Sequence, residues 1–550
     1  MKFTSRIFFG TTFLLALFVA VFSACNKNAS TTTKETGPVV PKNTKPIGFA
    51  TYTAGEFYDF SITNLASLLA LEIGNTSLAN GGTADQNTYS GNSLVTNANQ
   101  KWKITALGTG YFTIMNLGSG KYLQSPTTAG AQVFQYSDTT TDAQLWSINN
   151  VGPGAYSIIN KQTGLALTDH GASGSAGAPI TAETYANNNS QWWGPAFIPL
   201  SAYRDDQVVR FFQRTSGSEA FDGGASVPLT TGQVLWVTND VFYNQLNAKG
   251  EFNCGQIFNY HNSLLGQPAG HSWDPAQTIN ILSPNGVQIF HDSNSGDLLW
   301  PGAGIQIGSH VYVQNIEVPI GSLSADNQFL CDITAAGPKS INAVANLTVP
   351  GMSGQTAILY SLGMVNPGDG YVYAYGTGGF IGANVYVARF PLGSPTSWTF
   401  WNGSTWAATP TNASAAAIAN GPANNNTVGY VNGKYVLITM DFGFSCDETS
   451  RNMYSATSTS PTGPFTNKTT VYSLPDMKDG QTPVFYNPTI HAEFVNGQNE
   501  LLVNYCINFY SKNNGTNAVC LAPCSNADGS EDPNDYRPKG VRIPYSLIGL

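Results

Sequence analysis

Charge is scarce in this chain. Only 10% of its 550 residues are Asp, Glu, Lys or Arg, and 24 basic against 33 acidic side chains leave a formal charge of -9. No basic stripe can form to collect phosphates, which argues against nucleic acid as a partner. Sustained helical periodicity is also missing from the bulk of the chain, so coiled coils and helical bundles drop out. There is no Gly-x-Ser-x-Gly elbow, which removes the usual hydrolase serine. No phosphate loop, dinucleotide fingerprint or His-Glu-x-x-His occurs either. What remains is rich in aromatics (12%), in glycine (57 residues) and in Asn, Ser and Thr. That is the composition of a β protein with many turns, and its amides, hydroxyls and rings suit neutral glycans.

The length favours two domains. At the N-terminus, Lys2 and Arg6 precede the apolar run IFFGTTFLLALFVAVF, and Ser23-Ala24-Cys25 follows. This reads as an export signal over residues 1–24. A Cys directly after Ser-Ala resembles the bacterial lipobox, which implies a lipid on Cys25 and anchoring at the cell envelope, on the outer membrane or cell surface. Plain secretion is the alternative. Residues 25–47 are polar and contain proline, so a flexible linker is expected there.

Six cysteines remain, Cys254, Cys331, Cys446, Cys506, Cys520 and Cys524. In an exported protein they permit up to three disulfides. Cys520-x-x-x-Cys524 has no second pair or His cluster beside it, so no metal is assigned to it. No cofactor is expected, a structural calcium being the one option left open.

From residue 48 to 198 the chain repeats. Alternating strands open at Tyr58, Tyr111 and Ala155, and each unit closes on Gln-x-Trp: Gln100-Lys101-Trp102, Gln144-Leu145-Trp146 and Gln191-Trp192-Trp193. The closing tryptophans lie 44 and 47 residues apart. Three units too small for cores of their own imply threefold closure around a shared interior. These motifs resemble the ricin-type β-trefoil, a lectin fold. The resemblance implies that Gln-x-Trp is structural, and that sugar is held by an acid after the opening strand, an aromatic platform and an Asn before the Gln. An acid and an amide grip neighbouring hydroxyls while a ring covers the apolar sugar face. The first repeat supplies Glu72 and Asn99. The third supplies Asp169, Tyr185 and Gln191, with Ser190 at the Asn position. The second has Gln124 and Ala143.

From residue 202 to 550, short apolar strands alternate with Gly, Asn, Pro and Asp turns. Five hairpin clusters recur: ASVPLTTGQVLWV, GIQIGSHVYVQNIEV, GDGYVYAYGT with ANVYVARF, TVGYVNGKYVLITM, and HAEFVNGQNELLVNYCINF. A five-bladed β-propeller is the economical reading, so the fold class is all-β, a β-trefoil followed by a propeller.

The stretch FDGGASVPLTTGQVLWVTND, residues 221–240, holds an acid near its start and another at its end. A three-residue turn at Thr230-Thr231-Gly232 pairs Leu229 with Gln233. Carried down the ladder, this register sets Asp222 opposite Asp240, with β-carbons about 5 Å apart unless Gly223-Gly224 forms a bulge. Facing carboxylates repel, and one of them then holds its proton to higher pH. Glycosidic hydrolysis needs that division between a protonated acid and an ionised base or nucleophile. Capping of strand ends or cation binding is the alternative role.

LLWPGAGIQIGSHVYVQNI, VYAYGT, NVYVARFPLGSPTSWTFWNGSTW, SPTGPF and NPTIHAEFVNGQNELLVNYCIN follow in order. Together they resemble the five-bladed bacterial endo-D-arabinanases over residues 205 to 515. The resemblance implies that Asp222 and Asp240 are the catalytic pair. It adds His491 and Glu493, from a motif in which Ala492 replaces proline, and whose alternation puts both on one strand face. It also adds Asn262 and Ser263 after the first blade, and Trp300 in Trp-Pro-Gly-Ala-Gly. Two departures stand out: Ala303 where the family has Asp, and Asn239-Asp240-Val241 where it has Gly-Asp-Thr. Glu317 is a further candidate acid or tuner of a carboxylate. Asp297 reads as turn, and Trp398, Trp401 and Trp406 as core or sugar platform.

The expectation is thus an exported, lipid-anchored, monomeric glycoside hydrolase acting on an arabinan-like polysaccharide or oligosaccharide, by single displacement on analogy alone. Its alternative is a non-catalytic glycan-binding surface lipoprotein.

Overall fold

The computed structural model describes residues 48–550, apart from 92–96, 285, 292–296, 323, 338–339, 379–382, 422–424, 444–448, 479, 514–517, 523–525 and 527. The expectations for the export signal, the linker, lipidated Cys25, Cys446 and Cys524 fall outside these residues. No helix among the described residues is long and apolar enough to cross a membrane.

The repeats build one twelve-stranded sheet system, the β-trefoil. Trp102, Trp146 and Trp193 are fully buried in one apolar core with Phe60, Ile114 and Ile158. Each indole Nε1 donates to a backbone carbonyl of its own repeat, Leu71, Leu123 and Leu167, at 3.0, 3.0 and 2.9 Å. This hydrogen bond, made once in each repeat, is why the motif recurs: it joins the end of the repeat to the strand near its start, and buried indole N–H groups require a partner.

Residues 203–544 form a five-bladed β-propeller. Blade 1 runs Ser218–Pro228, Val234–Tyr243, Tyr260–Gln267 and Ile279–Ile281; blade 2 begins at Leu298–Ile307 and His310–Val318. Blades 3, 4 and 5 begin at Leu359–Val365, Asn426–Val431 and Pro483–His491. The ring closes through the chain ends, because Tyr203–Arg204 pairs with Lys539–Pro544 as the outermost strand of blade 5. Apolar clusters fill the gaps between consecutive blades, blades 5 and 1 included. Turn chemistry sets the hairpin registers. In blade 4, Val431 faces Lys434 across Asn432-Gly433, and both turn residues take positive φ (48° and 79°), as a type I′ turn needs.

The trefoil is joined to the propeller by buried ion pairs. Lys103 Nζ lies 2.6 Å from Glu500 Oε1, while Tyr203 Oη and Asn496 Nδ2 both donate to Glu500 Oε2 at 2.7 Å. A second pair links Lys121 to Asp206.

Cysteine use is narrower than three disulfides. Cys254 is disulfide-bonded, but Cys331 and Cys506 are free, buried thiols inside strands. Burial pushes both thiols up, so they behave as small apolar core groups.

Candidate active site

The first hairpin of blade 1 carries the site. Its turn is the expected one: Gly232 takes φ 82°, Leu229 N donates to Gln233 O at 2.8 Å, and Pro228 faces Val234. Around Gly223 the register slips twice in opposite senses, and it slips once more between Ser218 and Ala220. Phe221 faces Val241, Gly223 faces Thr238 and Ala225 faces Val237. Asp222 therefore sits against Asn239 and Asp240 together rather than squarely opposite one acid. Gly223 and Gly224 absorb the distortion in the left-handed region (φ 74° and 83°). A Cβ on Gly223 would lie 3.2 Å from Asn239 Nδ2, so the tight approach of Asn239 requires glycine.

Both carboxylates are 8% exposed. Tyr486 Oη donates to Asp222 Oδ2 at 2.6 Å, and Tyr536 gives a second hydroxyl bond. Asp222 Oδ1 is buried with no partner. Desolvation first, and the charge of Asp240 second, push the Asp222 carboxyl up to about 7. Asp240 is held differently. Its Oδ1 lies 2.9 Å from His261 Nδ1 and accepts a 3.2 Å bond from Trp300 Nε1. Asp222, its carboxyl raised, thus lies beside a second acid that is held by two nitrogen partners, an arrangement suited to acid–base chemistry.

His491 and Glu493 are near this hairpin but do not share a strand face, since the strand ends at His491. They converge on Ser226 instead. Ser226 Oγ lies 2.6 Å from His491 Nδ1 and also hydrogen-bonds Glu493. His491 is fully buried beside Trp236, and desolvation lowers it to about 3, a neutral imidazole at any ordinary pH. Burial raises Glu493 to about 7.

Asn262 and Ser263 are not available to a ligand. Asn262 Nδ2 donates to the carbonyls of Phe290 and Leu299, its Oδ1 accepts from Ile289 N and Phe290 N, and it is fully buried. Ser263 Oγ bonds Ser218 and Thr238. Asn262 staples blade 1 to the segment leading into blade 2, Ser263 ties strands within blade 1, and the residue that contacts Asp240 is their neighbour His261. Trp300, half-buried, does reach the site. Val241 is core, and Ala303 packs against the cluster between blades 2 and 3. Trp398 is also core, against Tyr360 and Phe390.

Glu317 groups with Asp297 and Asp326, each offering one oxygen within 4.8 Å of the others. Hard cations take such oxygens, so among the described residues these three could hold a metal.

In the trefoil, the Trp–carbonyl bonds align Leu71, Leu123 and Leu167, so the residues that follow, Glu72, Gln124 and Thr168, are equivalent. Gln100 and Gln144 donate to Glu72 and Gln124 at 2.7 and 3.1 Å, and Gln191 donates to Thr168 at 3.2 Å. The expected acid of the third repeat, Asp169, is one residue further on and hence on the other strand face. It is fully buried, accepting from Gln86 Nε2 and Ser173 N at 3.1 Å. Gln191 is likewise committed, to Thr168, Thr184 and Ala186. Tyr185 stays exposed, its hydroxyl donating to Asn187. Only the first repeat assembles the acid and amide: Asn99 Nδ2 donates to Glu72 Oε2 at 3.3 Å and Asn87 Nδ2 to Oε1 at 3.2 Å. Asp85 hydrogen-bonds the same carboxylate, and burial with the Glu72 charge raises it to about 7.

Tyr486, Tyr536 and His261 escape sequence reasoning. His261 directly precedes the Asn-Ser pair, a usable hint, whereas Tyr536 comes from a segment 314 residues after Asp222 and carries no local signal.

No curated protein matches the chain. Among solved structures, a designed 3-fold symmetric protein, ThreeFoil, is similar at 31% identity over 26% of this chain and 99% of its own, with a TM-score of 0.24. A protein of Bacteroides ovatus ATCC 8483, provisionally described as a hydrolase, is similar at 20% identity over 62% and 90%, with a TM-score of 0.48. An exo-beta-1,3-galactanase from Clostridium thermocellum is similar at 25% identity over 27% and 31%, with a TM-score of 0.25. The ricin-type beta-trefoil lectin domain-like family matches three overlapping windows, residues 49–136, 98–182 and 142–234. Residues 205–545, more than half of the chain, match the Domain of unknown function (DUF5005) family, and to that family the chain belongs.

Proposed function

We propose that the chain is a glycoside hydrolase in which the propeller cleaves a polysaccharide that the trefoil holds. The observation that carries this reading is the unequal environment of two adjacent carboxylates. Asp222, raised to about 7 beside Tyr486, is the general acid, and Asp240, steadied by His261 and Trp300, is the base or nucleophile. Asp222 passes its proton to the glycosidic oxygen as the bond to the sugar carbon breaks, and Asp240 deprotonates the incoming water or attacks that carbon itself. Glu72 and Asn99 hold sugar hydroxyls in the first repeat, the one repeat with acid and amide in place. Joining binding and cleaving modules raises the local concentration of substrate at the acids. An arabinan-like glycan is the favoured substrate, and residues 1–24 and Cys25 are read as export and lipid attachment.

The test is product formation on arabinan-type and other plant or microbial polysaccharides, followed by reducing-end release, with Asp222→Asn and Asp240→Asn in parallel. Cleavage by the parent chain and its loss in both variants is expected. Binding to a glycan that is never cleaved would replace this reading with the non-catalytic one, which the loss of a family carboxylate at Ala303 favours.

A further inference from the structure

A cavity of about 370 Å³ opens between the trefoil and the propeller, and nothing in the cleavage chemistry uses it. Tyr122 of the second repeat stands on one wall. His271, Trp273, Phe494 and Gln498 stand on the other. The cavity is at the far end of blade 1 from the carboxylate pair. His261, beside Asp240, is at the start of the strand Tyr260–Gln267, whereas His271 and Trp273 follow its last residue. Five steps of extended strand, from Asn262 to Gln267, put about 17 Å between the two levels.

Three features define what would fit. First, the walls carry little unmatched charge: Arg542 Nε pairs with Asp205 Oδ2 at 2.9 Å, and Asp206 is shared by Lys121 and Arg210. Asp138 is the lining carboxylate outside an ion pair, so an anion would have to break one of these pairs and face a further negative charge, which disfavours an anionic occupant. Second, Trp273 is half-buried, backed by Phe494 at 4.7 Å and Phe211 at 5.2 Å, so its indole is fixed in place as a platform. Third, Gln498 lines the same wall, and its Oε1 has no protein hydrogen-bond donor. A rigid ring, an amide at the wall and a volume inside the roughly 300–1,000 Å³ range of small-ligand sites make a hydroxyl-bearing apolar-faced ligand the match. His271 adds a left-handed backbone (φ 53°) at the same wall, a conformation that costs energy unless the surroundings impose it.

We propose that this junction is a second saccharide-binding site, taking one or two neutral sugar units, built jointly by the two domains and separate from the Glu72 site. The proposal rests on the carbohydrate reading of the chain but not on its cleavage chemistry. It would let a glycan run from the trefoil onto the propeller along the domain boundary.

Isothermal titration of the full chain carrying Asp222→Asn, with arabino-, xylo-, cello- and galacto-oligosaccharides of two to four units, tests it. One probe is expected to bind in a way that survives Asn99→Ala. The same binding should weaken at least tenfold in Gln498→Leu and in Val495→Trp, which places an indole at the cavity rim where Val495 is 73% exposed. Both variants should keep the parent melting temperature. Binding that is unchanged in both, that disappears entirely with Asn99→Ala, or that is absent for every probe overturns the site. Cleavage assays on the unsilenced chain read the hydrolase proposal separately, so either can fail alone.

Discussion

Trp300 Nε1 donates a 3.2 Å hydrogen bond across the gap between blades 2 and 1 to Asp240 Oδ1. The bond ties the orientation of one carboxylate to the packing of a neighbouring blade. Trp300→Phe keeps the ring and removes the donor, leaving His261 as the nitrogen partner of that oxygen. Turnover should fall roughly tenfold, the worth of a hydrogen bond to a charged group, with little change in KM. An unaltered turnover in steady-state assays would mean that this bond does not serve catalysis.

Removing either carboxylate should be more severe. Asp222→Asn and Asp240→Asn are each expected to lower turnover by at least about 100-fold, the usual scale of general acid–base contributions, while the trefoil still binds glycan. Kinetics together with a glycan pull-down separate the two effects.

Asp222 must hold its proton to act as the acid, so activity should decline as pH rises through about 7. The Tyr486 hydroxyl lowers the Asp222 carboxyl relative to what burial alone would impose. Tyr486→Phe takes that stabilisation of the anion away and should move the alkaline limb of the rate profile to higher pH. A limb that stays put, or moves down, would break the assignment.

The same group affects stability. Its folded value is above its unfolded one, so its contribution is fully present at acid pH and lost as pH climbs from 3.8 toward about 7. Asp222→Asn has no such loss. Its melting temperature should therefore gain on that of the parent chain between pH 4 and 7, and the difference should level off above that window.

Lys103 and Glu500 bury opposite charges at the junction of the domains. Lys103→Ala leaves a carboxylate in a dry interface and should cost about 3–5 kcal/mol in denaturant unfolding. Lys103→Met combined with Glu500→Gln removes both charges but keeps an acceptor for Tyr203 and Asn496, and should recover most of that loss.

In the trefoil, Gln191→Ala should lower the melting temperature without changing glycan affinity, because Gln191 is fully engaged inside its repeat. Asn99→Ala should lower affinity at the Glu72 site about tenfold with a smaller thermal effect. Equal loss of binding in both variants would return Gln191 to the ligand.

Much of the architecture was legible in the chain, because periodicity and turn chemistry act over short distances. Three Gln-x-Trp closures can be satisfied only by a shared interior, and Asn432-Gly433 and Thr230-Thr231-Gly232 set hairpin registers that the strands obey. Asp222 and Asp240 could be placed on one hairpin for the same reason. The contacts that distinguish them could not. The register slip at Gly223, the hydroxyls of Tyr486 and Tyr536 from blade 5 and the C-terminal segment, and the reach of Trp300 from blade 2 depend on how five sheets close into a ring. Asp169 and Asn262 make the same point in reverse: each has the right residue type near the right motif, yet burial and a one-residue offset turn them to internal bonds. Local sequence determined which elements form and which acids share one. Closure of the ring decided their partners, tyrosine hydroxyls for Asp222 and ring nitrogens for Asp240, although both are equally buried.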